Sequence, residues 1–208
     1  MMNNERKNNQ VTITGTVRGG MEFSHAFYGE NYYSTLIETQ RFSKTRDILP
    51  LMIPERLTDT GILHDGSSVT VSGQFRSHNR HEGEKSRLIL YVYVQEITPA
   101  GETAEASNNN KITLNGFLCK PPVYRKTPLG REITDVILAV SRPNGKKSDY
   151  IPCIFWGRNA REASGMNVGE PCSFTGRIQS REYMKKISEE QVETRTAYEV
   201  SVGKMVEA

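Results

Sequence analysis

The sequence predicts a mostly β-stranded protein made of two tandem five-stranded barrels, each with one short helix between its third and fourth strands. Three observations predict it. Short runs alternate apolar and polar residues with a period of two, glycines sit inside those runs, and one plan repeats along the chain at a nearly constant offset.

The elements follow in order. VTITGTV at 11–17 opens the first copy and is answered by ITLNGFL at 112–118. The third strand, within DILPLMIPERL at 47–57, is answered by DYIPCIFWGRN at 149–159, and GSSVTVSGQFRS at 66–77 by GEPCSFTGRIQS at 169–180. The offset drifts only from 101 to 103 residues, the mark of a duplicated domain. In the second copy the strands fall near 111–119, 132–142, 149–156, 171–183 and 195–204, and the helices of the two copies near 54–63 and 158–164. Gly15, Gly73, Gly116 and Gly176 lie inside strand patterns, where a small barrel bends or bulges at its corners. TPAGETAEASNNN at 98–110 is too small and polar to bury a core and reads as a linker, dividing the chain into 1–97, 98–110 and 111–208. Five strands with a helix after the third is the layout of an OB-fold barrel.

Composition fits small domains with much surface: of 208 residues, 36% are hydrophobic and 25% charged, and the mean hydropathy is −0.56. No run approaches the roughly 18 apolar residues of a membrane span, and MMNNERKNNQ has no signal-peptide character, so a soluble, cytoplasmic protein is expected. Cys119, Cys153 and Cys172 lack CxxC spacing and read as reduced thiols, the latter two in the core. Charge is uneven: residues 1–97 are neutral, 98–110 carry −2 and 111–208 carry +5, so an acidic polymer is expected on the second copy.

Alternation splits each strand into two faces. On the third strand of the second copy Ile151, Cys153 and Phe155 face inward, while Tyr150, Pro152, Ile154 and Trp156 face out. On the fourth, Cys172, Phe174 and Ile178 face in, and Arg177, Gln179, Arg181 and Tyr183 face out. Rings that stack on unpaired bases, beside cations that track phosphates, are what a single-stranded nucleic-acid platform requires. The candidate stacking residues are Tyr150, Trp156 and Tyr183, and the candidate phosphate contacts are Arg142, Lys146, Lys147, Arg158, Arg177 and Arg181. Lys146 and Lys147 occupy the Asn-Gly turn of PNGKKS, whereas the connection 184–193, with Lys185, Lys186 and three glutamates, reads as a solvated charge run. The first copy has Ile48, Pro50, Met52 and Pro54 on the matching outward face and keeps only Arg76 and Arg80 as auxiliary candidates. Its rings gather in MEFSHAFYGENYYS, read as core or as a contact surface.

The second copy resembles the bacterial single-stranded DNA-binding protein family through NKITLNGFLCKPPVYRKTPLGREITDVILAVSR, DYIPCIFWGRNAREAS and VGEPCSFTGRIQSREY, which arrive in the family's order. The resemblance implies stacking aromatics at Tyr150, Trp156 and Tyr183; a further stacking position falls on Pro143-Asn144, which is not aromatic. It implies four barrels per assembly, here a homodimer with 11–17 and 112–118 as candidate pairing edges. The family's acidic recruiting tip has no counterpart in SVGKMVEA, so tip-mediated recruitment is not expected. The expected function is sequence-tolerant binding of single-stranded DNA in replication, recombination or repair; the alternative is a protein-interaction adaptor. No cofactor, metal or enzymatic activity is expected: His78 and His81 stand in a hairpin with Glu82 and Glu84, and GKKS at 145–148 lacks the upstream glycine of a phosphate-cradling loop.

Overall fold

The computed structural model describes residues 8–83, 85–101, 109–143, 145–187 and 191–206. The first half forms β1 (Asn9–Phe27), β2 (Glu30–Gln40), β3 (Arg46–Pro54), β4 (Ser68–Glu82) and β5 (Lys85–Pro99). The second forms β6 (Asn110–Leu118), β7 (Val123–Lys126), β8 (Glu132–Ser141), β9 (Ser148–Trp156), α1 (Gly157–Ser164), β10 (Pro171–Lys186) and β11 (Val192–Val206). Each half closes on itself, through β1–β2–β3–β5–β4 and β6–β8–β9–β11–β10, with β3–β5 and β9–β11 as the parallel contacts. A closed five-stranded barrel with its helical segment after the third strand is the predicted OB layout. The extra strand β7 forms a hairpin with β8 around the Pro128–Gly130 turn, where Gly130 takes φ 74°.

The inward faces match the alternation. Phe75, Ile13, Leu49, Leu51 and Val92 fill the first barrel, and Ile112, Leu114, Ile151, Cys153, Phe155 and Phe174 the second. Phe155 and Phe174 meet edge to face at 5.5 Å. Burial pushes the Cys172 thiol up to about 11 and the Cys153 thiol well above its ordinary value, so neither is a nucleophile near neutral pH.

In the first copy the expected helix is a 3-10 turn, Glu55–Thr60, ended by Gly61 at φ 66°. Pro54 precedes it with no side-chain cap, and Thr58 and Thr60 are poor helix formers, so one tight turn is all that forms. Strands β10 and β11 run to Lys186 and from Val192, so half of the expected charged connection is paired strand. β5 extends to Pro99 and β6 begins at Asn110, which narrows the linker; 102–108 lie outside the described residues.

The first strands do pair, but with each other inside one chain. β1 and β6 run antiparallel from Asn9↔Leu114 to Ile13↔Asn110, about a pseudo-twofold at Val11↔Ile112. The repeat is therefore a duplicated pair of half-sites as well as a duplicated fold. Two matching clamps flank the seam. Asp149, fully buried, accepts from Arg142 Nη2 at 2.7 Å and from the Ser77 backbone N–H at 2.8 Å, while the Ser77 Oγ accepts from Tyr150 N–H at 2.7 Å. Asp47, also buried, accepts from Arg41 Nη2 at 2.5 Å and from Ser180 N–H at 2.7 Å. Asn8 donates to the Ser141 carbonyl and Asn109 to the Gln40 carbonyl, again as a symmetric couple.

Strand glycines mark close approach. The register shifts at Gly73 and at Gly176, and a Cβ would lie 2.0 Å from the Tyr93 carbonyl oxygen in the first case and 2.4 Å from that of Ser201 in the second. Gly15 and Gly116 show the same crowding without a bulge. Gly73→Ala is expected to cost about 1–3 kcal/mol by overpacking, seen as a lower urea midpoint. Gly203→Ala, whose Cβ would stand 3.5 Å from the Thr175 carbonyl, is expected to leave the midpoint nearly unchanged.

Candidate nucleic-acid interface

Strand β9 presents Tyr150, Pro152, Ile154 and Trp156 to one side, as its alternation requires. Tyr150 is 46% exposed, Pro152 and Trp156 are half-buried, and Ile154 is buried at 5%. At about 3.3 Å per residue, the two rings stand about 20 Å apart along the strand.

Three hollows follow this line. Beside Tyr150 a hollow of about 500 Å³ is lined by Ser77, His78, Leu88, Lys146 and Lys147. Beside Pro152 lies a valley of about 670 Å³ between the barrels, where Pro50 and Tyr183 meet Arg87, Lys185 and Lys186. At Trp156 a groove of about 770 Å³ collects Arg41, Arg125, Arg131, Arg177 and Arg181 against Glu199. The Trp156 indole N–H donates to Ser201 Oγ at 3.2 Å, which fixes the ring's edge.

The sequence-predicted residues divide among these places. Tyr150, Lys146 and Lys147 share the first hollow, Tyr183 faces the valley with 38% exposure, and Trp156, Arg177 and Arg181 share the groove. Arg158, on the first turn of α1, is exposed but lines none of the three. Arg142 also borders the first hollow, with its side chain 20% exposed, but its guanidinium is committed to Asp149 and to the Ser77 carbonyl at 2.8 Å, so it joins the barrels as well. Arg177 is half-buried at the seam; burial, and then Arg41, pull its guanidinium below the usual range. Its Nη2 reaches Gln179 Oε1 at 3.4 Å, and its buried Nε has no partner among the described residues. In the first barrel Arg76 is half-buried and Arg80 exposed. Pro143 is exposed at its turn, and Asn144 lies outside the described residues.

Sequence reasoning missed Lys185, Lys186 and Arg87. Lys185 extends the strand alternation of β10 past Tyr183, a signal hidden by the run of charges, Lys186 follows it at the strand's end, and Arg87 reaches the valley only because the barrels meet there. Of the rings of the first hairpin, Phe23, Phe27 and Tyr28 are 62%, 59% and 94% exposed, which removes the core reading for them and leaves that of a contact surface; β1 and β2 stay paired out to Phe27↔Glu30.

Residues 109–206 match the family model described as the single-strand binding protein family. The match spans the second barrel, just under half of the chain. Single-stranded DNA-binding protein 3 of Listeria innocua is 36% identical over 80 residues, covering 36% of this chain and 50% of that protein. Single-stranded DNA-binding protein A of Bacillus subtilis is 34% identical over 80 residues, covering 36% of this chain and 46% of that one. The chain thus spans about half the length of the curated relatives it matches. The crystal structure of wild-type single-stranded DNA binding protein from Thermus aquaticus superposes with a TM-score of 0.76 at 17% identity, over 96% of this chain and 92% of that one. That likeness is one of fold, and it takes in both barrels.

Proposed function

We propose that this protein binds single-stranded DNA without strong sequence preference and has no catalytic role, acting in bacterial replication, recombination or repair in the cytoplasm. What carries the reading is one observation: an exposed and a half-buried ring on a single strand, β9, with basic hollows along its length. Bases stack on Tyr150, Trp156 and Tyr183 while Lys146, Lys147, Lys185, Lys186 and Arg181 track phosphates; Arg177 acts from the groove floor and Arg158 from its rim. The surface suits unpaired bases, since in a duplex the base faces are already stacked on one another. A homodimer of two chains would supply four barrels; with β1 and β6 already paired, it must form through another surface.

The test is titration with oligo(dT) at low and high salt, read by the emission of Trp156, the chain's only tryptophan. Strong quenching is expected, with a logarithmic salt slope of about −0.7 per phosphate neutralised. A folded protein whose emission and affinity ignore the oligonucleotide overturns the reading. The adaptor reading draws on the exposed arm of Phe23, Phe27 and Tyr28, whose neighbouring charges Glu22 and Glu30 suit a protein contact better than a phosphate backbone.

A further inference from the structure

We infer that the first barrel holds a second base-stacking site, built from Arg76 over Tyr93 with Tyr32 beside them, for a nucleotide of the same single-stranded nucleic acid; this rests on the function proposed above.

The two barrels put their rings on different strands at the same place. Cross-strand register makes Tyr93 the counterpart of Ser201, since Gln74↔Tyr93 in the first barrel matches Arg177↔Ser201 in the second. The parallel contact agrees, with Met52↔Tyr93 matching Ser201↔Ile154. Where the second barrel has Trp156 on its third strand and Ser201 beside it, the first has Pro54 and Tyr93. The ring lost from one strand is replaced by a ring on its neighbour. The polar pair has exchanged as well: Gln74 and Arg76 stand where Arg177 and Gln179 stand, which moves the cation from the seam onto the platform.

The resulting surface is held together. The Arg76 guanidinium carbon lies 4.5 Å from the Tyr93 ring centroid, and its Nε and Nη2 both donate to Gln74 Oε1, at 3.1 and 2.6 Å. A guanidinium so fixed offers a flat cationic plane to a base, with the ring beneath it. Tyr32 stands 6.3 Å from Tyr93 and stacks on His25 at 4.9 Å, nearly parallel. Its hydroxyl donates to Glu30, which Arg56 pairs in turn. Burial first, then Glu30 and Tyr93, push the Tyr32 phenol up to about 12, so it stays neutral at working pH. Arg76, Tyr93 and Tyr32 all remain half-exposed, and Arg80 extends the cationic side.

The experiment uses dye-labelled oligo(dT) of two lengths, one spanning about one barrel (roughly 8 nucleotides) and one spanning both, with anisotropy as the readout. The variants are Tyr93→Ala, Tyr93→Phe, Arg76→Gln and Trp156→Ala, and Tyr93→Ala combined with Trp156→Ala. Tyr93→Ala and Arg76→Gln are expected to lower affinity for the long oligonucleotide at least about fivefold, while Tyr93→Phe, which keeps the ring, stays within twofold. Trp156→Ala is expected to retain short-oligonucleotide binding that the double variant loses. If Tyr93→Ala and Arg76→Gln stay within twofold while Trp156→Ala alone removes binding, the inference falls and the proposed function stands. If Trp156→Ala and the double variant both bind as the wild type does, both fall.

Discussion

Trp156→Ala is expected to weaken binding of a long oligo(dT) by about 5- to 150-fold, the equivalent of about 1–3 kcal/mol for one lost base stack. The side chain is suited to that role by its surroundings. Gly157, at φ 54°, turns the chain from β9 directly into α1, so the ring occupies the last strand position, at the edge of the arginine-lined groove. Ser201 pins the indole nitrogen, so the ring need not be ordered when a base arrives. Because the substitution removes the intrinsic fluorophore, anisotropy of a labelled oligonucleotide is the measurement. Trp156→Phe is expected to retain most of the affinity. An alanine variant that is folded and binds with wild-type affinity would move the DNA path away from this groove.

Asp149→Ala is expected to destabilise the protein by about 3–5 kcal/mol, the cost of leaving a buried cation without its anion. The carboxylate is 2% exposed and organises four groups: the Arg142 guanidinium, Ser77 N–H and, through the serine, the Ser77 hydroxyl and Tyr150 N–H. Asp47→Ala should cost a similar amount, since Asp47 holds Arg41 and Ser180 in the mirrored arrangement. Urea unfolding followed by circular dichroism checks both. The double substitution should then unfold in two separate transitions, one for each barrel. A loss below about 1 kcal/mol for either single variant would show that the buried carboxylate adds little to the β1–β6 pairing and the remaining bonds between the barrels. Asp149→Ala also bears on binding, because Tyr150 N–H is fixed through Ser77 by the same clamp.

What the sequence disclosed followed from local rules. Period-two alternation placed Ile151, Cys153 and Phe155 in the core and Tyr150 and Trp156 outside it, because a pleated strand leaves no other choice. Equal offsets disclosed the duplication, and the same offsets reappear in the clamps, from Arg41 to Arg142, Asp47 to Asp149 and Ser77 to Ser180. What stayed hidden depends on contacts between distant segments. An arginine at the end of LAVSR reads as an exposed cation; its pairing with Asp149 across β8 and β9, and with the Ser77 carbonyl of the other barrel, shows only in the fold. The pairing of β1 with β6 is made by backbone groups, which every strand possesses, so no side-chain pattern announces which copy supplies the partner. Tyr93 was missed because only the third and fourth strands of the first copy were read for candidate residues; it lies between the buried Val92 and Val94 of the fifth. The Phe23–Tyr28 cluster left core and contact surface both open, since clustered rings suit either, and only the exposure of Phe23, Phe27 and Tyr28 removes the core reading.

Joining the two halves through β1 and β6 within one chain removes dilution from the problem. Two separate subunits lose their partner as concentration falls below their dissociation constant. Barrels tethered by the segment between Pro99 and Asn110 instead see each other at an effective concentration on the order of millimolar. The pair persists in a single molecule, and each half keeps its own genetic record. In a symmetric dimer every substitution is made twice, so a ring lost from one face is lost from both. Here Pro54 could stand where Trp156 stands, and Tyr93 where Ser201 stands, without either change being imposed on the other half.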